Sequence, residues 1–262
     1  MATAPLVVVH HDAGLLAQAA AARLVTRLVD AQAARGWGSV VLTGGGVGIQ
    51  VLAALSRSPA RDAVDWRRVD LWWGDERYLP SGDPARNETQ ARAALLDALP
   101  LDPSRVHPMP ASDGPDGRDV DAAAERYADE LAGAALRQGA RGTLPTFDVL
   151  LLGVGPDAHV ASLFPDMAAV HEQARTVVAV HGAPKPPPTR ISLTLPSIVS
   201  ADEVWLLVAG AEKASAVGLA LRGAGPVQAP AGSAVGRRST LWLLDRAAAA
   251  QVPPNLVRLA SP

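Results

Sequence analysis

The chain has 262 residues with 24 basic and 26 acidic side chains, a formal charge of −2 with histidine neutral. So small a charge excludes a strong electrostatic claim on nucleic acid, and the absence of cysteine excludes disulfides, thiolate nucleophiles and cysteine-containing zinc sites. Hydrophobic residues at 48% and charged residues at 19% describe a soluble globular chain rather than a disordered one.

Met1–Pro5 carry no basic segment, and the apolar run Leu6–Val9 stops at His10, which reads as a first strand and not a secretion signal. Nowhere do 18 uncharged apolar residues follow one another, so no membrane span is expected and a cytoplasmic location is. Gly14–Arg35 puts Leu16, Ala20, Leu24 and Leu28 on one i+4 row and leaves Arg23, Arg27 and Asp30 for water, a surface helix. Further apolar runs too short for helices follow at Val40–Leu42, Val69–Trp73, Phe147–Leu152, Thr176–Val180, Ile191–Leu195, Val204–Val208 and Thr240–Leu244. Helical spacing recurs between them at Gly48–Arg57, Asn87–Ala98, Val120–Leu136 and Glu212–Leu221. Most of the short runs lack polar alternation, as parallel strands covered on both faces do. The alternation predicts an α/β fold, Rossmann-like, with a mostly parallel sheet and helices on both faces. The loops at Pro108–Arg118, Gly182–Pro188 and Gly223–Gly232 are too short to be domain linkers, so residues 1–262 are expected to form a single domain.

Four apolar runs end alike, in glycine with polar or charged residues. Val40–Leu42 enters Thr43-Gly44-Gly45-Gly46, Leu71–Trp73 enters Gly74-Asp75-Glu76-Arg77, Val149–Leu152 enters Gly153-Val154-Gly155-Pro156-Asp157-Ala158-His159, and Trp205–Val208 enters Ala209-Gly210-Ala211-Glu212-Lys213. In a parallel sheet these ends share one edge, where open α/β proteins bind ligands.

Two readings fit the Thr43–Gly48 turn: amides that cradle a phosphate at a helix start, or tight packing. Its spacing matches neither nucleotide motif, because Ile49 stands where a dinucleotide fingerprint needs glycine or alanine and a P-loop needs Gly-Lys. Arg77, Arg190 and Lys213, the last one of only two lysines beside Lys185, are either solvated surface charges or, converging on one edge, the partners of an anion. Of six histidines, His10, His11, His107, His171 and His181 lack a charged motif and read as structural or surface residues. His159 follows Asp157 by two positions at a strand end, where an imidazole of ordinary pKa near 6.5 can take and return a proton; the alternative is a histidine that caps the next helix. Asp157 and His159 make at most two metal ligands, so neither metal nor cofactor is expected. Gly-x-Ser-x-Gly is absent, and Ser162 reads as an N-terminal helix residue rather than a nucleophile.

The segment from Phe147 to Pro165, with Gly153-Val154-Gly155-Pro156-Asp157-Ala158-His159 at its centre, resembles the signature of the 6-phosphogluconolactonases. Leu42-Thr43-Gly44-Gly45, Trp73-Gly74-Asp75-Glu76-Arg77 with Asn87 downstream, and Pro184–Thr194 agree with it in the family's order, so the likeness spans about Leu6 to Leu244. Related glucosamine-6-phosphate deaminases carry an Asn-Glu pair after the histidine, and Val160–Pro165 lacks it. The resemblance implies hydrolysis of 6-phospho-D-glucono-1,5-lactone to 6-phosphogluconate in the oxidative pentose phosphate pathway. In that reading His159 is the base, Asp157 or Asp75 orients the imidazole or the sugar hydroxyls, and Arg77 or amides near Gly153 and Gly155 stabilise the oxyanion. Thr43, Gly44 and Gly45 with Arg190 and Lys213 hold the 6-phosphate, and Lys185 is a rim contact.

The family usually has glycine where this chain has Ala158. A positive φ there would cost alanine on the order of 1 kcal/mol, whereas a mere close approach would tolerate a methyl group. A sugar-phosphate isomerase or deaminase and a non-catalytic sugar-phosphate sensing module are the rival functions. The expected partner is a small-molecule sugar-phosphate lactone, with no nucleic acid or membrane, and the protein is expected to be a monomer or small homo-oligomer.

Overall fold

The computed structural model describes residues 4–260, so the two ends of the expected 1–262 domain, including Met1–Thr3, lie outside the described residues. In chain order the elements are β1 (Leu6–His10), α1 (Ala13–Arg35), β2 (Gly38–Leu42), α2 (Gly45–Arg57), β3 (Val69–Trp73), β4 (Asp75–Arg77), α3 (Asn87–Ala94), α4 (Val120–Arg137), β5 (Val149–Gly153), β6 (Val177–Val180), β7 (Arg190–Leu193), α5 (Leu195–Ile198), β8 (Glu203–Val208), α6 (Ala214–Leu221), α7 (Pro230–Ser233), β9 (Ser239–Asp245) and β10 (Val257–Leu259).

Seven strands form one sheet in the order β10-β1-β9-β8-β5-β2-β3, parallel throughout. Every residue of β2 and β3 is buried, so both sheet faces are covered there, as the unbroken apolar runs predict. From β2 the chain moves outward to β3, whereas from β5 it moves the other way to β8 and β9. The carboxyl ends of β2 and β5 therefore flank the point where the strand order reverses, the crevice of an open α/β sheet.

The runs at Thr176–Val180 and Ile191–Leu195 depart from the parallel reading. They supply β6 and β7, which pair antiparallel and join β4 in a separate three-stranded sheet. That small sheet is hung on the large one at Gly74, whose N–H donates to Leu42 O at 3.0 Å and whose carbonyl accepts from Leu193 N at 2.9 Å. Nothing in the apolar pattern distinguishes an edge-mounted antiparallel ribbon from another parallel strand.

The helices follow the expected stripes with shifted ends. Asp12 caps α1 by accepting from Leu15 N at 2.8 Å, and Gly36 closes it at φ +86°. Leu16, Ala20, Leu24 and Leu28 are buried on it as predicted. Arg27 is not left to water: its guanidinium bonds Asp148 Oδ1 at 3.1 Å and Glu203 Oε1 at 3.0 Å. α2 begins three residues before the predicted Gly48, α3 ends at Ala94 rather than Ala98, and the first residues of Glu212–Leu221 form a 3₁₀ turn before α6. His107, read as structural, is buried, stacks on Trp72 at 3.8 Å and pairs with Glu130 at 2.7 Å.

Candidate active site

The first wall of the cleft is the turn between β2 and α2. Gly45 adopts φ +82°, a conformation that favours glycine. Gly44 has no room for a side chain, because a Cβ there would overlap the Asn87 carboxamide. No side chain caps the start of α2 and no acidic residue lies in its first turn, so its leading amides stay available to an anion. Thr43 Oγ1 accepts from Gly153 N at 3.3 Å and ties this turn to the end of β5.

Beyond β5 the backbone folds back on itself, with Ala158 N donating to Gly155 O and Gly155 N to His159 O, each at 3.0 Å. The tight turn brings His159 Nδ1 to 2.5 Å from Asp157 Oδ1. A Cβ on Gly155 would overlap both side chains, so glycine at that position is what lets the pair form. Burial works to raise the Asp157 pKa, but the hydrogen bond and charge of His159, with Lys185 nearby, outweigh it and hold the carboxyl well below its ordinary range. An ionised carboxylate accepts only, so Nδ1 carries a proton, and in the neutral imidazole the lone pair is then on Nε2. The far face of the imidazole leans on Phe164, with ring centroids 4.4 Å apart.

Ala158 sits at φ +66° and is fully buried. The left-handed conformation costs an alanine on the order of 1 kcal/mol, and its buried methyl group recovers about 0.8 kcal/mol. The two nearly cancel, and the Asp157–His159 contact forms with alanine in place.

The second wall is the small sheet. Arg77 on β4 and Arg190 on β7 are direct register partners, and like charges placed opposite each other on one sheet face destabilise it. Arg77 Nη1 donates to Ala85 O at 2.5 Å, while its Nε is buried without a partner. Arg190 donates to Pro187 O at 3.1 Å and Lys185 O at 2.9 Å. Burial, with Arg77 adding to it, pulls the Arg190 pKa down against the attraction of Asp75. Lys213 closes the third side where the 3₁₀ turn meets α6; burial and then Lys185 lower its pKa. Lys185 Nζ lies 3.7 Å from Asp157 Oδ1.

These walls enclose a cleft of about 450 Å³. Thr43, Gly44, Gly45, Asp75, Arg77, His159, Arg190 and Lys213, all expected from the sequence, line it together with Lys185, Gly153 and Gly155. Asp157 is not in the lining and stands behind His159. Asp75 does not orient the imidazole: its Oδ2 accepts from Ser162 Oγ at 2.7 Å and its Oδ1 from Asn87 Nδ2 at 3.3 Å. Nor does Ser162 begin a helix; it is buried in the irregular segment after the turn, so the helix-capping alternative for His159 has no helix to act on. Sequence reasoning missed the roles of Asn87 and Glu76. The Glu76 carboxylate is fully buried and accepts from the backbone N–H of Arg77, Asn87 and Glu88 at 2.7–2.9 Å, so it caps α3 from another element. Its only sequence signal is its place between Asp75 and Arg77. Among the described residues no three His, Cys, Asp or Glu side chains stand together as a metal-ligand set.

The family described as glucosamine-6-phosphate isomerases/6-phosphogluconolactonase matches residues 11–242. A 6-phosphogluconolactonase of Streptomyces coelicolor is 64% identical over 261 residues, covering 100% of both chains. One from Mycobacterium tuberculosis is 52% identical over 242 residues, 92% of this chain and 96% of its own. The solved 6-phosphogluconolactonase of Trypanosoma brucei superposes with a TM-score of 0.80 at 25% identity, covering 97% of this chain and 100% of that one.

Proposed function

The chain belongs to the glucosamine-6-phosphate isomerase/6-phosphogluconolactonase family, and from that premise we propose that it hydrolyses 6-phospho-D-glucono-1,5-lactone to 6-phosphogluconate in the cleft described above. The observation that carries this reading is one cleft holding both an Asp157-oriented His159 and the cations Arg77, Arg190, Lys185 and Lys213.

In the proposed mechanism His159 Nε2 removes a proton from water as the water oxygen attacks the lactone carbonyl. Charge develops on the carbonyl oxygen, and the Arg77 guanidinium at the cleft wall or the amides near Gly153 and Gly155 receive it. Such donors are commonly worth about 3 kcal/mol each. Collapse of the tetrahedral intermediate breaks the bond to the ring oxygen, which takes the proton back from the imidazolium. Asp157 stabilises that imidazolium without itself becoming protonated.

The 6-phosphate is assigned to the Thr43–Gly45 turn with Arg190 and Lys213, so that binding energy remote from the ester fixes the carbonyl against the water. A dianion there relieves the Arg77–Arg190 repulsion across the strand pair. Residues 1–262 are taken as one cytoplasmic domain, with no metal or other cofactor in the reaction; buried side chains of the large sheet share one cluster with Val177 of β6 and with Ile191 and Leu193 of β7, while Val178 and Val180 of β6 pack with Phe164 and Ala183 in a second.

The test is hydrolysis of lactone made in situ, corrected for spontaneous opening. His159→Ala is expected to collapse kcat with little change in KM; near-normal turnover would remove it as the base. Lys213→Ala is expected to raise KM for the phosphorylated lactone and to leave an unphosphorylated one unaffected.

A further inference from the structure

Asp157 orients the imidazole of His159, but little in turn holds Asp157. Its side chain is 36% exposed, and its side-chain partners among the described residues are His159, whose Nδ1 lies 2.5 Å from Oδ1, and Lys185, whose Nζ lies 3.7 Å from the same oxygen. A carboxylate that swung out into water would leave Nδ1 without its acceptor and the tautomer unset. A cation fixed beside Oδ1 opposes that swing.

Lys185 is placed to be that cation. Its carbonyl accepts from Arg190 Nη2 at 2.9 Å and the Pro187 carbonyl accepts from Arg190 Nε at 3.1 Å, so the backbone that carries Lys185 is pinned to the first residue of β7. The same guanidinium lies 5.7 Å from the ring of Phe164, which leans on His159. Among the described residues Asp157 is the one carboxylate within ion-pair distance of Lys185 Nζ, while Lys213, which shares the cleft, repels it. The contacts thus form a series across the cleft: Arg190 fixes the backbone of Lys185, the ammonium group fixes Asp157, and Asp157 fixes the imidazole.

Resting on the reading of the cleft as a lactone site, we propose that Lys185 is a positioning residue, whose ammonium group, anchored through Arg190, holds the Asp157 carboxylate against His159 instead of serving as a rim contact for the phosphate. The experiment measures kcat and KM of the wild type, Lys185→Met and Lys185→Arg on 6-phosphogluconolactone generated in situ and corrected for unaided opening, and repeats Lys185→Met in an Asp157→Asn background. Lys185→Met is expected to lower kcat about fivefold, the size of effect a partly exposed ion pair supports, with KM within about twofold of the wild type. Lys185→Arg keeps the charge and is expected to retain most of kcat. With Asp157 already replaced the loss is expected to vanish, because the brace then has nothing to hold. A raised KM with kcat kept would make Lys185 a phosphate contact and overturn the proposal. So would a kcat loss as deep in Lys185→Arg as in Lys185→Met, or one that persists in full beside Asp157→Asn. If turnover of Asp157→Asn falls below the unaided rate, the division between kcat and KM and the arginine variant decide alone. A wild type that leaves the lactone untouched would overturn the functional reading, and this inference with it, whereas a change in KM alone, seen against an active wild type, removes the inference and leaves the reading standing.

Discussion

In the proposed mechanism the chemistry at residue 159 is set by what stands behind it. Asp157 fixes the imidazole tautomer and is held ionised by His159 and Lys185. Asp157→Asn keeps the size of the side chain but can turn its amide toward Nδ1, which would then need to be an acceptor and would carry the lone pair away from the cleft. We expect kcat to fall on the order of 10²–10⁴-fold with KM about unchanged, measured by the corrected lactone assay; retention of kcat would show that the imidazole needs no orienting partner. This part of the site was legible in the sequence, because Asp-x-His on a glycine-flanked strand end is a local pattern and local geometry follows from it. The division of labour between the two aspartates was not legible. Asp75 and Ser162 are 87 positions apart, and only the folded backbone brings them together.

At the scale of elements, the short strand β4 works as a bracket. Its Asp75 takes Asn87 Nδ2, its Glu76 caps the N-terminus of α3, and its Arg77 faces the cleft. Burial pushes the Glu76 pKa up to about 7, against the pull of Arg86 and the backbone amides of Glu88, Asn87 and Arg77. A carboxyl whose folded-state pKa lies above its unfolded value of 4.5 favours the fold most fully below pH 4.5 and loses that contribution as pH rises through about 7. Glu76→Gln cannot titrate. Whatever its absolute stability, its melting temperature is therefore expected to gain on the wild type as pH rises from 5 to 8, followed by thermal denaturation; a constant difference would contradict the assignment. The Gly-Asp-Glu-Arg segment stood out in the sequence for Asp75 and Arg77. Its glutamate did not, since a cap supplied by a separate strand leaves no periodic trace. The antiparallel pairing of β6 and β7 was hidden for a similar reason: their burial comes from an edge-mounted ribbon, and five-residue apolar runs carry no record of strand direction.

Over the whole molecule, the two ends of the parallel sheet are specialised. The carboxyl ends carry the cleft, while the amino ends are pinned by the buried Asp148, which binds Arg27, Arg35 and the Ser39 amide. Removing a buried charge partner typically costs 3–5 kcal/mol; here Arg27 keeps Glu203 and the Arg35 side chain is 30% exposed, which puts Asp148→Ala at about 3 kcal/mol. Denaturant unfolding should register that loss while kcat/KM at a permissive temperature stays near the wild-type value. The parallel sheet and the crevice were readable because apolar runs and glycine-ended strands are dense in the chain. The ion cluster at the opposite end was not: Arg27 looked like a solvated helix residue until the starts of β5 and β8 were brought beneath it.

The guanidinium of Arg190 grips the carbonyls of Lys185 and Pro187 while lining the cleft, so one side chain is both cleft wall and rivet. A lysine at that position would keep the charge and release the proline-rich loop, and with it the second ammonium group. Evolutionary drift at position 190 is thereby tethered to drift at 185–187, and these residues should change across relatives as a block or not at all.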